Sequence, residues 1–86
     1  MREGETVENL SRYRKVFMDV FSIADEDEVT KLKYQSHPNW DSLGHMALVA
    51  ALESEFLISM DMDDVIDLES FTKGIEILAK YNVRIS

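Results

Sequence analysis

Residues 40–56, with the sequence WDSLGHMALVAALESEF, decide the fold, because they combine the start of a helix with two separate apolar stripes. At about 100° per residue, one stripe contains Leu48, Val49, Leu52 and Phe56. The other, on almost the opposite side, contains Leu43, Met46, Ala47 and Ala50. A surface helix needs only one such stripe for its own core. The second stripe predicts either a helix that the rest of the chain covers on both sides or an exposed face for a protein partner.

A docking face of this kind has an apolar centre and a polar rim. The acidic residues available for the rim are Glu53, Glu55, Asp63 and Asp64. An acidic rim favours partners with basic patches, because complementary charges steer association.

The sequence predicts a helix from Ser42 to Phe56, with Asp41 or Ser42 as its N-cap. Upstream, a first helix is predicted from Val7 to Phe21, with Thr6 as its N-cap. Its inner face follows the helical period through Leu10, Tyr13, Val16, Phe17, Val20 and Phe21. On its opposite, solvated side lie Arg12, Arg14 and Lys15.

The periodicity fails between residues 23 and 40, which predicts a long connection. The acidic run at residues 25–28 is expected to be a loop or a single helical turn. Pro38 has no backbone N–H and holds His37 in an extended conformation, so no helix continues there. Long connections in small domains are either functional or loosely ordered.

Downstream, the chain is predicted to break at residues 57–61 and to form a short helix at residues 62–67. Ser70 is expected to cap a last helix that runs from Phe71 to about Tyr81. Its inner face is predicted to contain Phe71, Ile75, Leu78 and Ala79. We therefore expect an all-α fold, a four-helix bundle with a long first loop and a short third helix, as a single domain over residues 1–86.

Composition narrows the classes of function. The chain has 86 residues and a net charge of −8, so nucleic acid and anionic membranes are not expected as partners. It contains no cysteine, which excludes disulfides and cysteine-ligated metals. The first residues form no apolar run and no stretch is long enough to cross a bilayer, so we expect a cytoplasmic protein without membrane insertion. A core this small leaves little room for a deep active site, which argues against an enzyme.

Ser42 stands where the long loop meets the second helix, within Trp40-Asp41-Ser42-Leu43-Gly44-His45-Met46. A helix start offers unpaired N–H groups and the positive end of the helix dipole, so a phosphate attached there is well placed. Gly44 weakens the first turn but leaves room for another group to approach closely. Taken alone, Asp-Ser-Leu is a weak motif, because Asp and Ser are ordinary caps.

Together with the apolar helix that ends at Leu52-Glu53-Ser54-Glu55-Phe56, the acidic segment at residues 61–64 and the final amphipathic helix, this motif resembles the acyl carrier protein family. Residues 40–46 are most similar to free-standing carriers outside central fatty-acid synthesis. The resemblance covers residues 7–81 and is most specific from residue 40 to residue 71. Two features depart from the family: Ala47 and Ala50 replace more polar or bulkier residues, and Lys31, Lys33 and His37 make the loop less acidic.

The resemblance implies that a phosphopantetheinyl transferase attaches a 4'-phosphopantetheine arm from coenzyme A to Ser42. The arm's thiol would carry an acyl or related group as a thioester, in lipid or secondary-metabolite biosynthesis. Acyl-loading and acyl-transferring enzymes with basic or apolar patches would dock on the second helix. The docking residues are expected to be Asp41, Leu43, Met46, Ala47, Ala50 and Glu53, on a monomer that is not itself an enzyme.

Three other interpretations compete with the carrier. The first is an unmodified acidic helical module that binds a protein partner through the second helix. The second is a hydrolase built from Asp41, Ser42 and His45, although Asp41 and His45 are poorly placed to reach each other. The third is a calcium loop starting at Asp61, which fails because Val65, Ile66 and Thr72 occupy its fifth, sixth and twelfth positions. No metal site is therefore expected.

Overall fold

The computed structural model describes the backbone of residues 3–85 and the side chains of residues 7–85. This part of the chain is all-α, with no strand and one isolated antiparallel bridge between Lys33 and Ser70. Its helices are α1 (Glu3–Phe21), α2 (Glu26–Val29), α3 (Ser42–Phe56), α4 (Met62–Asp67) and α5 (Phe71–Ala79).

The core lies mainly between α1 and α3, which bury the stripes that the sequence predicts. Tyr13, Phe17 and Phe21 of α1 have no exposed surface, and neither have Leu48 and Leu52 of α3. Burying one large apolar side chain contributes about 1.5–3 kcal/mol, so this pairing dominates the stability of the fold. The Tyr13 hydroxyl donates a hydrogen bond to the Phe71 carbonyl at 2.6 Å, which joins α1 to α5.

The bounds of α3 agree with the prediction at both ends. Asp41, rather than Ser42, is the N-cap, and its carboxylate accepts a hydrogen bond from Gly44 N at 2.9 Å. The helix ends at Leu57, which has a φ of 55° and therefore lies in the left-handed region. A non-glycine residue at this position is strained, because its Cβ crowds the backbone.

The long connection between α1 and α3 is ordered against the core. Its acidic run forms the single turn of α2, capped by Asp25, so the helical alternative for this segment is confirmed. Two backbone hydrogen bonds, from Tyr34 N to Glu69 O (2.7 Å) and from Phe71 N to Leu32 O (3.0 Å), fix the connection to the segment before α5.

Trp40 closes the connection as a buried anchor. It has no exposed surface, it stacks on Phe21 at 5.2 Å and it meets Phe17 edge-on at 5.6 Å. Trp40 therefore holds the end of the connection against the core, two residues before Ser42.

Three local predictions are wrong. α1 begins at Glu3, so Thr6 lies inside the helix and is not its cap. α5 ends at Ala79, two residues before Tyr81, because the chain turns there with 3₁₀-type hydrogen bonds. Ala79 is exposed, and Ile77 takes the predicted place on the buried face. The Ser70 cap is confirmed, since its hydroxyl accepts from Lys73 N at 2.9 Å.

Candidate functional site

Ser42 is the first residue of α3 and is exposed to solvent. The carboxylate of Asp41 caps the helix, so the Ser42 hydroxyl is not required for capping. Among residues 7–85, no side-chain hydrogen bond of the structure involves Ser42. Its hydroxyl is therefore exposed and makes no side-chain hydrogen bond within this part of the chain, at the first position of α3.

Gly44 is required by the path of the loop. A methyl group at position 44 would overlap the carbonyl oxygen of Asn39 and would approach the ring of Phe21. Asn39 is itself anchored, because its side-chain amide donates to the Phe21 carbonyl at 3.0 Å. The group that approaches Gly44 is thus the backbone just before Trp40, and the glycine lets the loop lie directly on the first turn of α3.

A chain of hydrogen bonds joins the start of α3 to α4. Trp40 Nε1 lies 3.0 Å from His45 Nδ1, and His45 Nε2 lies 2.7 Å from the Val65 carbonyl oxygen. An indole N–H can only donate, so Nδ1 accepts and the proton of the neutral ring is assigned to Nε2. Both ring nitrogens are therefore engaged away from Ser42, which leaves the hydrolase interpretation without a base at His45.

The second apolar stripe of α3 is exposed, as one of its two interpretations predicts. Leu43 is 84% exposed and Met46 is 56% exposed, and Ala47 and Ala50 are also exposed. On α4, Met62 is 72% exposed and Ile66 is 67% exposed. Ile66 and His45 line the same cleft, so α4 extends the apolar surface near the start of α3. We call Leu43, Met46, Ala47, Ala50 and Ile66 the α3–α4 face.

The acidic residues proposed for the rim mostly make internal contacts. Glu53 is half-buried, and its carboxylate accepts from Met60 N at 2.9 Å. Glu55 forms an ion pair with Arg12 at 2.7 Å. Asp64 is only 3% exposed, so it is not part of an outer rim. Asp41 and Asp63 are exposed and remain available to a partner.

Asp64 holds α4 against the end of the chain. Its carboxylate accepts from Lys80 Nζ and from the Tyr81 hydroxyl, both at 2.5 Å. The Tyr81 oxygen in turn accepts from Asp61 N at 2.9 Å. The hydrogen bonds from Lys80 and Tyr81 stabilise the charged carboxylate and lower the pKa of Asp64 below its usual value.

A cleft of about 260 Å³ opens between the start of α3, α4 and the long connection. Its lining residues are Tyr34, His45, Val65, Ile66, Leu68 and Glu69. We call it the α3–α4 cleft. One of its lining residues, His45, is three positions after Ser42 on α3 and therefore lies on the neighbouring turn of the helix.

Sequence reasoning missed Tyr34, Glu69 and the Asp64–Lys80–Tyr81 cluster. Tyr34 and Glu69 meet only through the backbone bond between the long connection and the segment before α5. Such non-local pairings leave no local pattern. Asp64 carries no local signal either, because other acidic residues surround it in the segment 61–67.

Two features of the described residues bear on other classes of function. Within residues 3–85, no helix combines the length and apolar character needed to cross a membrane. In the same part of the chain, His, Asp and Glu side chains form no group of three or more that could hold a metal ion.

Comparisons of the chain with protein-family models, with curated proteins and with solved structures find no match.

Proposed function

We propose that this chain is an acyl carrier protein: a 4'-phosphopantetheine arm on Ser42 carries an acyl or related group as a thioester and presents it to partner enzymes. The observation that carries the proposal is the exposed, unengaged Ser42 hydroxyl at the start of α3, directly beside an exposed apolar face.

The residues around Ser42 fit the attachment of such an arm. The hydroxyl belongs to the first residue of a helix whose start is fixed by Asp41, Gly44 and the Trp40–His45 hydrogen bond. A fixed attachment point delivers a flexible arm to a defined place, which raises the effective concentration of the cargo at a docked enzyme. When attached, the arm supplies the thiol that a chain without cysteine lacks.

The α3–α4 face supplies the proposed docking surface. Side chains such as Leu43 and Met46 gain the most from burial at the centre of an interface, and methionine adapts to several partners. Glu53 and Glu55 already make contacts inside the chain. The acidic residues that can contribute to docking are therefore mainly Asp41 and Asp63, which are exposed. Docking is therefore mainly apolar, and its partners are a phosphopantetheinyl transferase and acyl-loading or acyl-transferring enzymes.

We also propose the carrier arrangement of the helices, in which α1, α3, α4 and α5 form a four-helix bundle. In this arrangement the single turn of α2 belongs to the long first loop. The monomeric state, the cytoplasmic location and the absence of intrinsic enzymatic activity are parts of the same proposal.

The second candidate function is an unmodified interaction module, which the same exposed apolar face favours. The two proposals predict different effects for removal of the Ser42 hydroxyl. In the module, Ser42→Ala has little effect, because Asp41 provides the cap. In the carrier, the same substitution removes the function.

Labelling with a fluorescent coenzyme A derivative tests this difference. We expect a phosphopantetheinyl transferase to label the wild-type chain and to leave Ser42→Ala unlabelled. Ser54→Ala is the matched control, because Ser54 is another exposed serine of α3. Equal labelling of wild type and Ser42→Ala, or labelling of neither by several transferases, would contradict the carrier proposal.

A further inference from the structure

Both histidines of the chain accept hydrogen bonds at the end of the long connection. His37 Nδ1 accepts from the backbone N–H of Asn39 at 3.1 Å. His45 Nδ1 accepts from Trp40 Nε1 at 3.0 Å. A backbone amide nitrogen and an indole nitrogen can only donate, so each ring carries no proton at Nδ1. Two consecutive residues, Asn39 and Trp40, are therefore held by neutral imidazole rings.

Asn39 and Trp40 attach the connection to the rest of the fold. The Asn39 side-chain amide donates to the Phe21 carbonyl at 3.0 Å, and Trp40 stacks on the Phe21 ring. The Asn39 carbonyl oxygen lies where a methyl group on Gly44 would be, so the connection lies directly on the first turn of α3. The two imidazole bonds thus act at the point where α1, the long connection and the start of α3 meet.

Protonation of either ring is incompatible with its bond. An imidazolium ion carries a proton on both nitrogens, so an N–H group at Nδ1 would face the N–H group of Asn39 or of Trp40. Turning the His45 ring over gives no escape, because its Nε2 would then leave the Val65 carbonyl oxygen, which lies 2.7 Å away. Histidine is the side chain that ordinarily gains its charge between about pH 8 and about pH 5. Both bonds are therefore sensitive to acid in that range.

The charged groups near the two rings do not bind the protonated form. Around His45 they are the carboxylates of Asp41, which caps α3, and Glu69, which lines the same cleft. Tyr34 meets the His45 ring edge-on at 5.5 Å, and α4 contributes apolar side chains to the cleft. The other histidine ring lies against an aromatic side chain of α1. Within residues 7–85, no ion pair or hydrogen bond joins a carboxylate to either histidine ring.

We propose that His37 and His45 form a pH-sensitive switch at the end of the long connection. Near neutral pH, the two rings hold Asn39 and Trp40 in place beside the start of α3. As the pH falls towards about 5.5, both rings take up protons, both hydrogen bonds break and the connection loosens beside the first turn of α3. The core between α1 and α3 contains neither ring and stays folded. The switch does not depend on the proposed function.

The two hydrogen bonds can be followed separately by NMR. The chain has a single tryptophan, so the exchange of its indole N–H, expressed as a protection factor, reports the bond to His45. The protection factor of the Asn39 amide reports the bond to His37. The ring C–H resonances of the histidines show when each ring takes up its proton. Between about pH 7.5 and about pH 5.5, we expect each protection factor to fall about tenfold as the corresponding ring is protonated.

Asparagine is the matched substitution for each histidine, because its side-chain oxygen can accept the same hydrogen bond and takes up no proton in this range. In His45→Asn, the pH dependence at Trp40 should disappear and that at Asn39 should persist. In His37→Asn, the reverse is expected. Circular dichroism at neutral pH shows whether each variant is folded. The amide of the buried Leu48 should keep its protection in all three proteins.

Three results would overturn the proposal. The first is a ring that takes up its proton while the N–H group bonded to it keeps the same protection. The second is a ring that stays neutral throughout the range. The third is an equal loss of protection in the wild type and in both variants, which would indicate a general loosening of the fold. The first two are measured on the wild-type protein alone, so the test does not depend on the folding of a variant.

Discussion

At the scale of one residue, helix propensity and packing predict opposite effects for a substitution of Gly44. On propensity alone, Gly44→Ala would stabilise α3 by about 1 kcal/mol. The added methyl group would overlap the Asn39 carbonyl, which belongs to backbone and cannot rotate away. We therefore predict that Gly44→Ala destabilises the fold by about 1–3 kcal/mol, the usual cost of overpacking. Urea unfolding followed by the fluorescence of Trp40 measures this, and a gain in stability would contradict the packing.

Asp64 makes the stability of the fold depend on pH. Its pKa in the folded state is lowered from the ordinary value of 3.8, first by the Lys80 hydrogen bond and then by that of Tyr81. Its contribution to stability is therefore complete above the ordinary value and is lost as the pH falls through the lowered pKa.

We predict that Asp64→Asn unfolds at a lower urea concentration than the wild type at neutral pH, and that this difference shrinks as the pH falls below 3.8. Asp63→Asn is the matched control, because the neighbouring Asp63 is exposed. Urea titrations across this pH range measure the effect. A constant difference at all pH values, or an equal effect of both substitutions, would show that Asp64 makes no such bonds.

At the scale of the element, the end of α3 is a site where stability can be gained. Leu57 is 90% exposed and has a φ of 55°, so its side chain contributes little packing while its backbone is strained. Glycine adopts this conformation freely. We predict that Leu57→Gly stabilises the fold by about 1 kcal/mol, whereas Leu57→Ala, which keeps a Cβ, does not. Thermal unfolding of both variants measures the change in stability. A loss of stability in Leu57→Gly would contradict the prediction.

The exposed stripe of α3 gives a second prediction at this scale. Met46→Glu should lower the transferase kcat/KM for the chain about tenfold, because a central apolar contact commonly contributes more than 1 kcal/mol to binding. Leu57→Glu is the control, since Leu57 is an even more exposed apolar residue at the other end of the helix. A similar loss in both variants, or none in Met46→Glu, would exclude the α3–α4 face as the docking surface.

The elements themselves were largely predictable from the sequence. The bounds of α3 agree with the prediction because Asp41, Ser42 and the apolar period mark them locally. The predicted bounds of α4 also agree with the structure. The start of α1 was missed because residues 3–6 have no apolar period. The buried face of α5 was misjudged because tertiary contacts, and not the local pattern, decide whether Ile77 or Ala79 faces the core.

For the whole molecule, the sequence could not predict how distant segments meet. The stripe on α3 and the position of Ser42 follow from helical geometry, and the structure agrees with both. The cleft depends on the contact of Tyr34 with Glu69. The attachment of α4 to the end of the chain depends on the hydrogen bonds of Asp64 with Lys80 and Tyr81. In a chain with 17 acidic residues, nothing local distinguishes the buried Asp64 from its exposed neighbours.

The central claim is that Ser42 accepts one phosphopantetheinyl group. Intact-protein mass spectrometry, after incubation with coenzyme A and a broad-specificity phosphopantetheinyl transferase, tests it most directly. The account predicts a mass gain of one such group in the wild-type chain and none in Ser42→Ala, with both proteins folded by circular dichroism. An unchanged mass of the folded wild-type chain with several transferases, or the same gain in Ser42→Ala, would contradict it.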